Sequence, residues 1–554
     1  MAAMWLNFSE LRVLVIDDSS AMRKMLQMIV QSMGVKSVDL AESVHDVLYK
    51  IEKLERRYDI ILCDYILGEG RDGQHLLEEL KARKLLPYST VFIMVTGERE
   101  YEKVVSAVEL APDDYLLKPF SGQRLMDRIL DAAEKKQTLG TLHQHIEQAA
   151  YDQAVAEADR LLTEAPRYRM DILRAKADAL ISLDRLDEAE VIYRTIIAEQ
   201  PIPWARFGLA RIEYLRHKLG AAEEILDQLI ADAPNYTTAC DLLAEVKHDL
   251  DKIEHAQTVL EHGVKVSPRN LRRQRQLGAI AMLNNDLETA EASLSAVTTF
   301  GEHSVLIKPT DYANLARCVV AQGQPDRARK VMQSGLKRLP ENPQMQAASL
   351  FVNGIIDGEK SAEEARMSVE AAVALVAQMQ QKGETLDRDL ALIGVQSCLK
   401  AGMVEQAVAM TETLLSERRD ASGEVDTTTT ASVNRLFEAA GVKDTADALF
   451  QKARKAMADL NNEAVGLARN GKLREAMTMF QRAASGKLAS NVAILNAIHA
   501  ILSVMEKEGW DADLARQMDL LFERAQEKDP KNAKLAVHDQ QRSELMQKYG
   551  VQAR

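Results

Sequence analysis

Five side chains in the first 120 positions carry groups that belong together chemically: the carboxylates of Asp17, Asp18 and Asp64, the hydroxyl of Thr96 and the ammonium of Lys118. Three carboxylates brought to one point repel one another strongly unless a cation screens them. Oxygen-only ligands favour magnesium, whose usual surroundings are one or two direct carboxylates, several waters and a phosphoryl oxygen. An ammonium and a hydroxyl beside such an ion are what a transferring phosphoryl group needs for charge stabilisation and positioning.

The elements around these residues explain how they could meet. Each one ends, or immediately follows, a short apolar run that reads as a buried strand: Leu11 to Ile16, Ile60 to Cys63, Val91 to Val95 and Tyr115 to Leu117. Amphipathic stretches such as Ala21 to Met33 and Gly73 to Lys84 alternate with them, which predicts an α/β doubly wound parallel sheet. The functional groups then fall outside the carboxyl ends of the strands, where such sheets place their sites.

With these motifs in place the N-terminal segment resembles the receiver domain of two-component response regulators. VLVIDDSSAMRKML carries the acidic pair, ILCDYILGEGRDG the phosphoacceptor segment, FIMVTGERE the threonine, and DDYLLKPF the lysine with Tyr115 three residues before it. The resemblance implies a flavodoxin-like domain of five parallel strands, with Asp64 accepting phosphoryl from a kinase phosphohistidine. It implies that Asp18 and Asp64 bind Mg2+ directly, Asp17 through water, and the Ile66 backbone carbonyl completes the shell. Lys118 would pair with the phosphoryl oxygens, Thr96 would close on them, and Tyr115 would act as the rotamer switch. The chain departs from the family in having Leu67-Gly68 where Met-Pro or Leu-Pro is usual. The glycine usual eight positions after the phosphoacceptor stands nine positions after Asp64, at Gly73, so the loop carries one extra residue. Ile66 and Glu98 lie where receivers tune the lifetime of the acyl phosphate. Gly68 to Gly73 also satisfies the spacing of a dinucleotide fingerprint, but it follows the third strand and has acidic residues where a pyrophosphate would approach, so it reads as a loop.

The rest of the chain is repetitive. Ala154, Ala189, Ala222, Ala256, Ala290 and Ala328 recur at intervals of 35, 33, 34, 34 and 38 residues. Pro166, Pro201, Pro234, Pro268 and Pro340 each lie twelve residues after one of them. Small residues follow leucines in Leu209-Ala210, Leu243-Ala244, Leu277-Gly278 and Leu315-Ala316. Small residues at both places let two antiparallel helices approach closely, and the proline ends the second helix. Period and register resemble the tetratricopeptide repeat. This implies an all-α helical-hairpin solenoid with a concave face. An insertion lies around Phe300 to Pro309. After Pro340 the register weakens, with hairpin turns at Ala401-Gly402 and Asn470-Gly471, a Thr-rich loop at Ala421 to Thr430, and a charged helical cap from Asp511 to Arg554. The boundaries read as a receiver over 9–137, tetratricopeptide-like repeats over 138–342 and divergent helical repeats with a cap over 343–554. Arg124 to Gln137 reads as the last receiver helix and Thr138 to Leu142 as a short junction.

The 554-residue chain has a net charge of −13, which argues against nucleic acid as a partner. Arg272 and Arg275, on the first helix of the fifth repeat, could grip an acidic peptide in the groove; a solvated helix face is the alternative. The absence of an 18-residue apolar run or an N-terminal leader pattern indicates neither membrane span nor signal peptide, and four isolated cysteines suit a reducing cytoplasm. The expected function is a cytoplasmic response regulator whose output is protein binding, not an enzyme beyond phosphoryl transfer to itself. Its expected partners are a cognate sensor histidine kinase or phosphotransfer protein and a protein in the repeat groove. A constitutive scaffold or phosphate sink is the alternative, and a homodimer is compatible with either.

Overall fold

The structure is a computed structural model and describes residues 7–67, 73–97, 112–302, 304–358, 360–417, 427–484, 490–529 and 532–550. The chain divides into two compact units, Met1–Gln322 and Gly323–Arg554. In the first, five strands form one parallel sheet: β1 (Arg12–Ile16), β2 (Ser37–Ala41), β3 (Ile60–Asp64), β4 (Val91–Thr96) and β5 (Asp114–Leu117), in the order β2-β1-β3-β4-β5. Helices α1 (Ser20–Ser32), α2 (Val44–Leu48) and α3 (Gly73–Ala82) lie between strands, and α4 (Gly122–Glu147) follows β5. Ser19 caps α1 by accepting the Met22 N–H, and Ser121 caps α4 by accepting that of Arg124.

Helices cover both faces of the sheet, which is why its central strands are continuous apolar runs. Leu14, Ile16, Ile61, Cys63, Phe92 and Met94 pack with Leu76, Leu77 and Leu80 of α3. Val13, Val15, Ile60, Leu62, Ile93 and Val95 pack with Leu26 and Val30 of α1 and Leu125 and Ile129 of α4. Each such side chain contributes roughly 1.5–3 kcal/mol by burial.

The expected junction at Thr138 to Leu142 is not a break. α4 runs unbroken for 26 residues because no proline interrupts it and its apolar stripe continues past Gln137. Leu139 and Leu142 are buried against the next helix, Tyr151–Glu164, together with Ala154 and Ala158. The last helix of the sheet domain is therefore also the first helix of the first repeat.

A polar cluster reinforces this junction at the N-terminal ends of β4 and β5. Tyr88 stacks on His143 of α4 with ring centroids 4.4 Å apart, and Lys136 lies over the Tyr88 ring at 5.2 Å. Lys136 also pairs with Asp113 at 2.8 Å and donates to the Thr90 carbonyl. Lys135 pairs with Asp171 at 2.6 Å, and Arg167 with Asp131 and Glu134 at 2.8 Å. Burial, with Lys135 and Lys136 nearby, holds His143 below its ordinary 6.5, against the opposing pull of Asp171 and Asp113. The unfolded chain thus takes up a proton that the folded junction refuses. His143 contributes stability above its unfolded pKa, lost as pH falls through the lower folded value. A lower urea midpoint at about pH 5 than at about pH 7.5 is expected, with a smaller difference in His143→Phe, which keeps the stack without the charge.

Helical hairpins follow with the expected register. The helices Tyr151–Glu164, Leu186–Glu199, Leu219–Asp232, Ile253–Val266 and Pro325–Arg338 each end two residues before one of the five prolines. All six register alanines are fully buried. Each hairpin of the first unit turns through a left-handed residue five positions before its alanine: Ala149, Asp184, His217, Asp251 and Asn285, with φ between 54° and 60°. Asp, Asn and Gly tolerate this conformation best, which makes the turn a readable signal that period alone did not supply.

In the second unit the same turn recurs at Gly323, Gly402, Gly441 and Gly471, each five positions before a buried alanine: Ala328, Ala407, Ala446 and Ala476. The expected hairpin turns at Ala401-Gly402 and Asn470-Gly471 stand between Arg388–Lys400 and Val404–Glu417, and between Lys443–Arg469 and Leu473–Ala484. The Thr-rich stretch is in part helical: Thr427 to Thr430 form the first turn of Thr427–Ala439, while 421–426 lie outside the described residues. Ala512–Lys528 and Ala533–Lys548 make up the C-terminal helical segment. Among the described residues, no helix is long and apolar enough to cross a membrane.

Candidate functional site

The parallel register brings the ends of β1, β3 and β5 together, with Ile16 opposite Cys63 and Thr96 opposite Leu117. Carboxylate oxygens of Asp17, Asp18 and Asp64 all lie within 4.8 Å of one another. Lys118 Nζ sits 3.0 Å from Asp17 Oδ2 and 3.1 Å from Asp64 Oδ2, so one ammonium bridges two of the three acids. Asp17 is 1% exposed, and its Oδ1 accepts the Ser19 N–H at 2.8 Å. Asp64 Oδ1 accepts the Tyr65 N–H at 2.8 Å. Thr96 is buried beside them, and its carbonyl accepts the Lys118 N–H at 2.7 Å.

Burial and the neighbouring Asp17 raise the Asp64 carboxyl to about 6, with Lys118 working in the opposite direction. Burial works against the Lys118 ammonium, but Asp17 and Asp64 outweigh it and hold its pKa above the ordinary value. The all-oxygen donor set and its surplus negative charge fit a hard divalent cation.

Arg23 supports the acidic pair in a way the motif reading missed. Its guanidinium donates to the carbonyls of Asp17 at 2.6 Å and Asp18 at 3.0 Å, and pairs with Glu42 at 3.3 Å. The available signal was an arginine on the first turns of the helix that follows the pair.

Gly73, the glycine that stands one position later than usual, is a steric necessity. A Cβ there would lie 2.4 Å from the Asp64 carbonyl oxygen, 2.9 Å from Met94 Sδ and 3.0 Å from Cys63 Sγ. Its N–H donates to the Tyr65 carbonyl at 2.8 Å, which ties the start of α3 to the end of β3. Gly73→Ala must therefore displace the Asp64 backbone. Overpacking of this kind costs about 1–3 kcal/mol. A lowered urea midpoint together with slowed phosphoryl uptake by intact mass is the expected result.

Tyr115 sits on β5 opposite Met94, with its hydroxyl buried and without a hydrogen-bond partner among the described residues. Burial, with Tyr65 nearby, raises its pKa. The Ile66 side chain is half exposed at 51%. Glu98 and the loop Gly68 to Asp72 lie outside the described residues.

The two arginines proposed for the repeat groove differ in their surroundings. Arg275 grips both Asp311 oxygens, at 2.6 and 2.8 Å, and donates to the Leu306 carbonyl at 2.5 Å, so its fork is engaged within the chain. Arg272 is largely exposed and meets Glu245 at 3.3 Å. The four cysteines are buried, and none forms a disulfide.

Residues 13–130 match the family model described as a response regulator receiver domain. The transcriptional regulatory protein ResD of Bacillus subtilis is 31% identical over 121 residues, covering 22% of this chain and 47% of ResD. The phosphate regulon transcriptional regulatory protein PhoB of Pseudomonas aeruginosa is 29% identical over 119 residues, covering 21% of this chain and 49% of PhoB. The chain thus spans about half the length of these two relatives. A tetratricopeptide repeat protein from Parabacteroides merdae is similar in structure over 48% of this chain and 97% of its own, with 13% identity and a TM-score of 0.36.

Proposed function

We propose that this chain, whose N-terminal domain is a response-regulator receiver domain followed by a tetratricopeptide-like helical region, is phosphorylated on Asp64 and signals through protein contacts made by its repeats. The observation that carries this reading is the joint placement of Asp17, Asp18 and Asp64 within 4.8 Å, with Lys118 bridging two of them. Asp64 attacks the phosphorus of a kinase or phosphotransfer-protein phosphohistidine; the new P–O bond forms as the P–N bond breaks, and the imidazole leaves. Asp18 and Asp64, with the Ile66 carbonyl, would hold Mg2+ directly and Asp17 through water. When bound, the ion neutralises charge on the phosphoryl oxygens. Lys118 stabilises the same oxygens, and the Thr96 hydroxyl turns toward them.

Tyr115 supports a conformational response. A buried hydroxyl left without a partner costs about 1–3 kcal/mol, so a state that gives it one is favoured by a comparable amount. Phosphorylation then biases an existing equilibrium by stabilising one state more than the other. The shared helix α4 supports transmission, because it belongs to the receiver core and the first repeat at once. The setting we propose is the cytoplasm, with no enzymatic output beyond phosphoryl transfer to the chain itself.

The extra residue in the loop before Gly73 favours a second reading, a constitutive scaffold whose receiver docks a kinase without switching the repeats. Immobilised chain, treated or untreated with acetyl phosphate and Mg2+, separates the two. Partners retained at least about fivefold differently by the treated chain, and not by Asp64→Ala, would support the switch. Equal retention by a chain whose intact mass shows the phosphoryl group would favour the scaffold.

A further inference from the structure

The segment Ser304–Lys308, within the insertion after the helix Leu287–Phe300, is held in place by the chain around it. Ser304 Oγ accepts the Leu306 N–H at 3.1 Å, Arg275 donates to the Leu306 carbonyl at 2.5 Å, and Asp311 Oδ2 accepts the Lys308 N–H at 2.7 Å. Ile307 is 7% exposed, so close to Gly301 that a Cβ there would lie 2.8 Å from its Cδ1. The arginine expected to serve a groove ligand is, in this fold, a brace for the insertion.

The braced segment delivers Ser304 to the receiver. Ser304 is 1% exposed, and its hydroxyl donates to Glu78 Oε2 on α3 at 3.1 Å, across 226 positions of sequence. Among the described residues the receiver thus meets the repeats through α4 at the first repeat and again through α3 at the fifth. The second place lies on the helix whose first residue packs against the Asp64 carbonyl. α3 begins at Gly73, whose Cα leaves room for no Cβ against the Asp64 carbonyl, and Glu78 follows within the next turn and a half.

We propose that α3 is a docking surface for the Ser304–Lys308 segment and that phosphorylation releases the segment from it. The proposal rests on the reading of Asp64 as phosphoacceptor. A phosphoryl group replaces the single negative charge of the Asp64 carboxylate with about −1.5 to −2 charges spread over a bulkier group, beside the backbone on which Gly73 packs, and α3 adjusts to it. At 3.1 Å the Ser304–Glu78 contact is already at the long end of hydroxyl hydrogen bonds, so displacement of α3 weakens it. Release frees the insertion while α4 keeps the receiver attached to the first repeat.

Amide hydrogen exchange on the full-length chain tests this, with acetyl phosphate and Mg2+ as the phosphorylating probe and intact mass read on the same samples. Exchange over 304–308 should speed by at least about fivefold on phosphorylation, the lower end of ordinary coupling between sites, and stay unchanged in Asp64→Ala. Glu78→Ala should show the fast exchange without phosphorylation, whereas Glu78→Gln, which keeps an acceptor, should stay closer to the wild type. Unchanged exchange in a sample carrying the phosphoryl group would overturn the release, and no effect of Glu78→Ala would overturn the docking surface. Failure to form an adduct at all would instead remove the phosphoacceptor reading, and this proposal with it.

Discussion

Asp64→Ala should abolish the phosphoryl adduct expected of the wild-type chain with acetyl phosphate and Mg2+, as read by intact mass under mildly acidic conditions. The site has other carboxylates, but they are differently placed. Asp17 is 1% exposed and already holds the Ser19 N–H and the Lys118 ammonium, so it presents no free face to a phosphoryl donor. Asp64 stands at the end of β3, with one oxygen on the Tyr65 N–H and the other toward Lys118. Lys118→Ala leaves Asp64 but removes the only ammonium within 4 Å of it among the described residues. It should slow adduct formation by about 10²-fold or more, the usual loss when a positioned charge donor is removed from developing phosphoryl charge. An adduct of undiminished yield in Asp64→Ala would move the phosphoacceptor elsewhere.

Asp241→Ala should cost about 3–5 kcal/mol, the largest single destabilisation expected in the repeats. Arg273 is fully buried between the helices Thr238–Asp249 and Leu271–Leu283, where Asp241 meets its guanidinium at 2.6 and 2.9 Å and the Gly263 carbonyl accepts from it at 3.4 Å. The fit extends to the backbone, since a Cβ at Gly263 would lie 2.8 Å from Arg273 Cδ. Removing the carboxylate takes away the counter-charge that offsets the desolvation of a buried cation. Replacing both partners, as in Asp241→Leu with Arg273→Met, should recover most of the loss because no charge is left behind. Urea unfolding followed by the helical signal measures both. Equal midpoints for Asp241→Ala and the wild type would show that water or another group satisfies Arg273.

The arginine cluster near position 270 shows how far charge patterns can be read. Arg269, Arg272, Arg273 and Arg275 form one basic patch in sequence, yet the fold gives them different environments. Arg273 is buried in an ion pair, Arg275 braces the insertion through Asp311, Arg272 meets Glu245 in solvent, and Arg269 lies 5.9 Å from the Phe300 ring. Helical periodicity places them around the axis, but which side receives an acidic partner depends on the neighbouring hairpins. Those partners stand 27 to 36 positions away, beyond the reach of any local pattern.

The acidic end of the sheet was legible because its chemistry is local. A buried parallel strand needs a continuous apolar run, the group after the run lies at the strand's carboxyl end, and parallel strands put those ends together. Asp17, Asp18, Asp64, Thr96 and Lys118 could be placed from their strands alone. The repeats were legible for a similar reason. Close helix packing requires small residues at fixed spacing, as at Gly208, where a Cβ would lie 2.2 Å from the Tyr193 ring. Only the tertiary structure decided that α4 is shared between receiver and repeats. A junction and a continuous helix have the same composition until the next hairpin buries Leu139 and Leu142. It alone also brought Ser304 to Glu78, because a contact across 226 positions depends on the summed geometry of every hairpin between, which no short stretch of residues encodes.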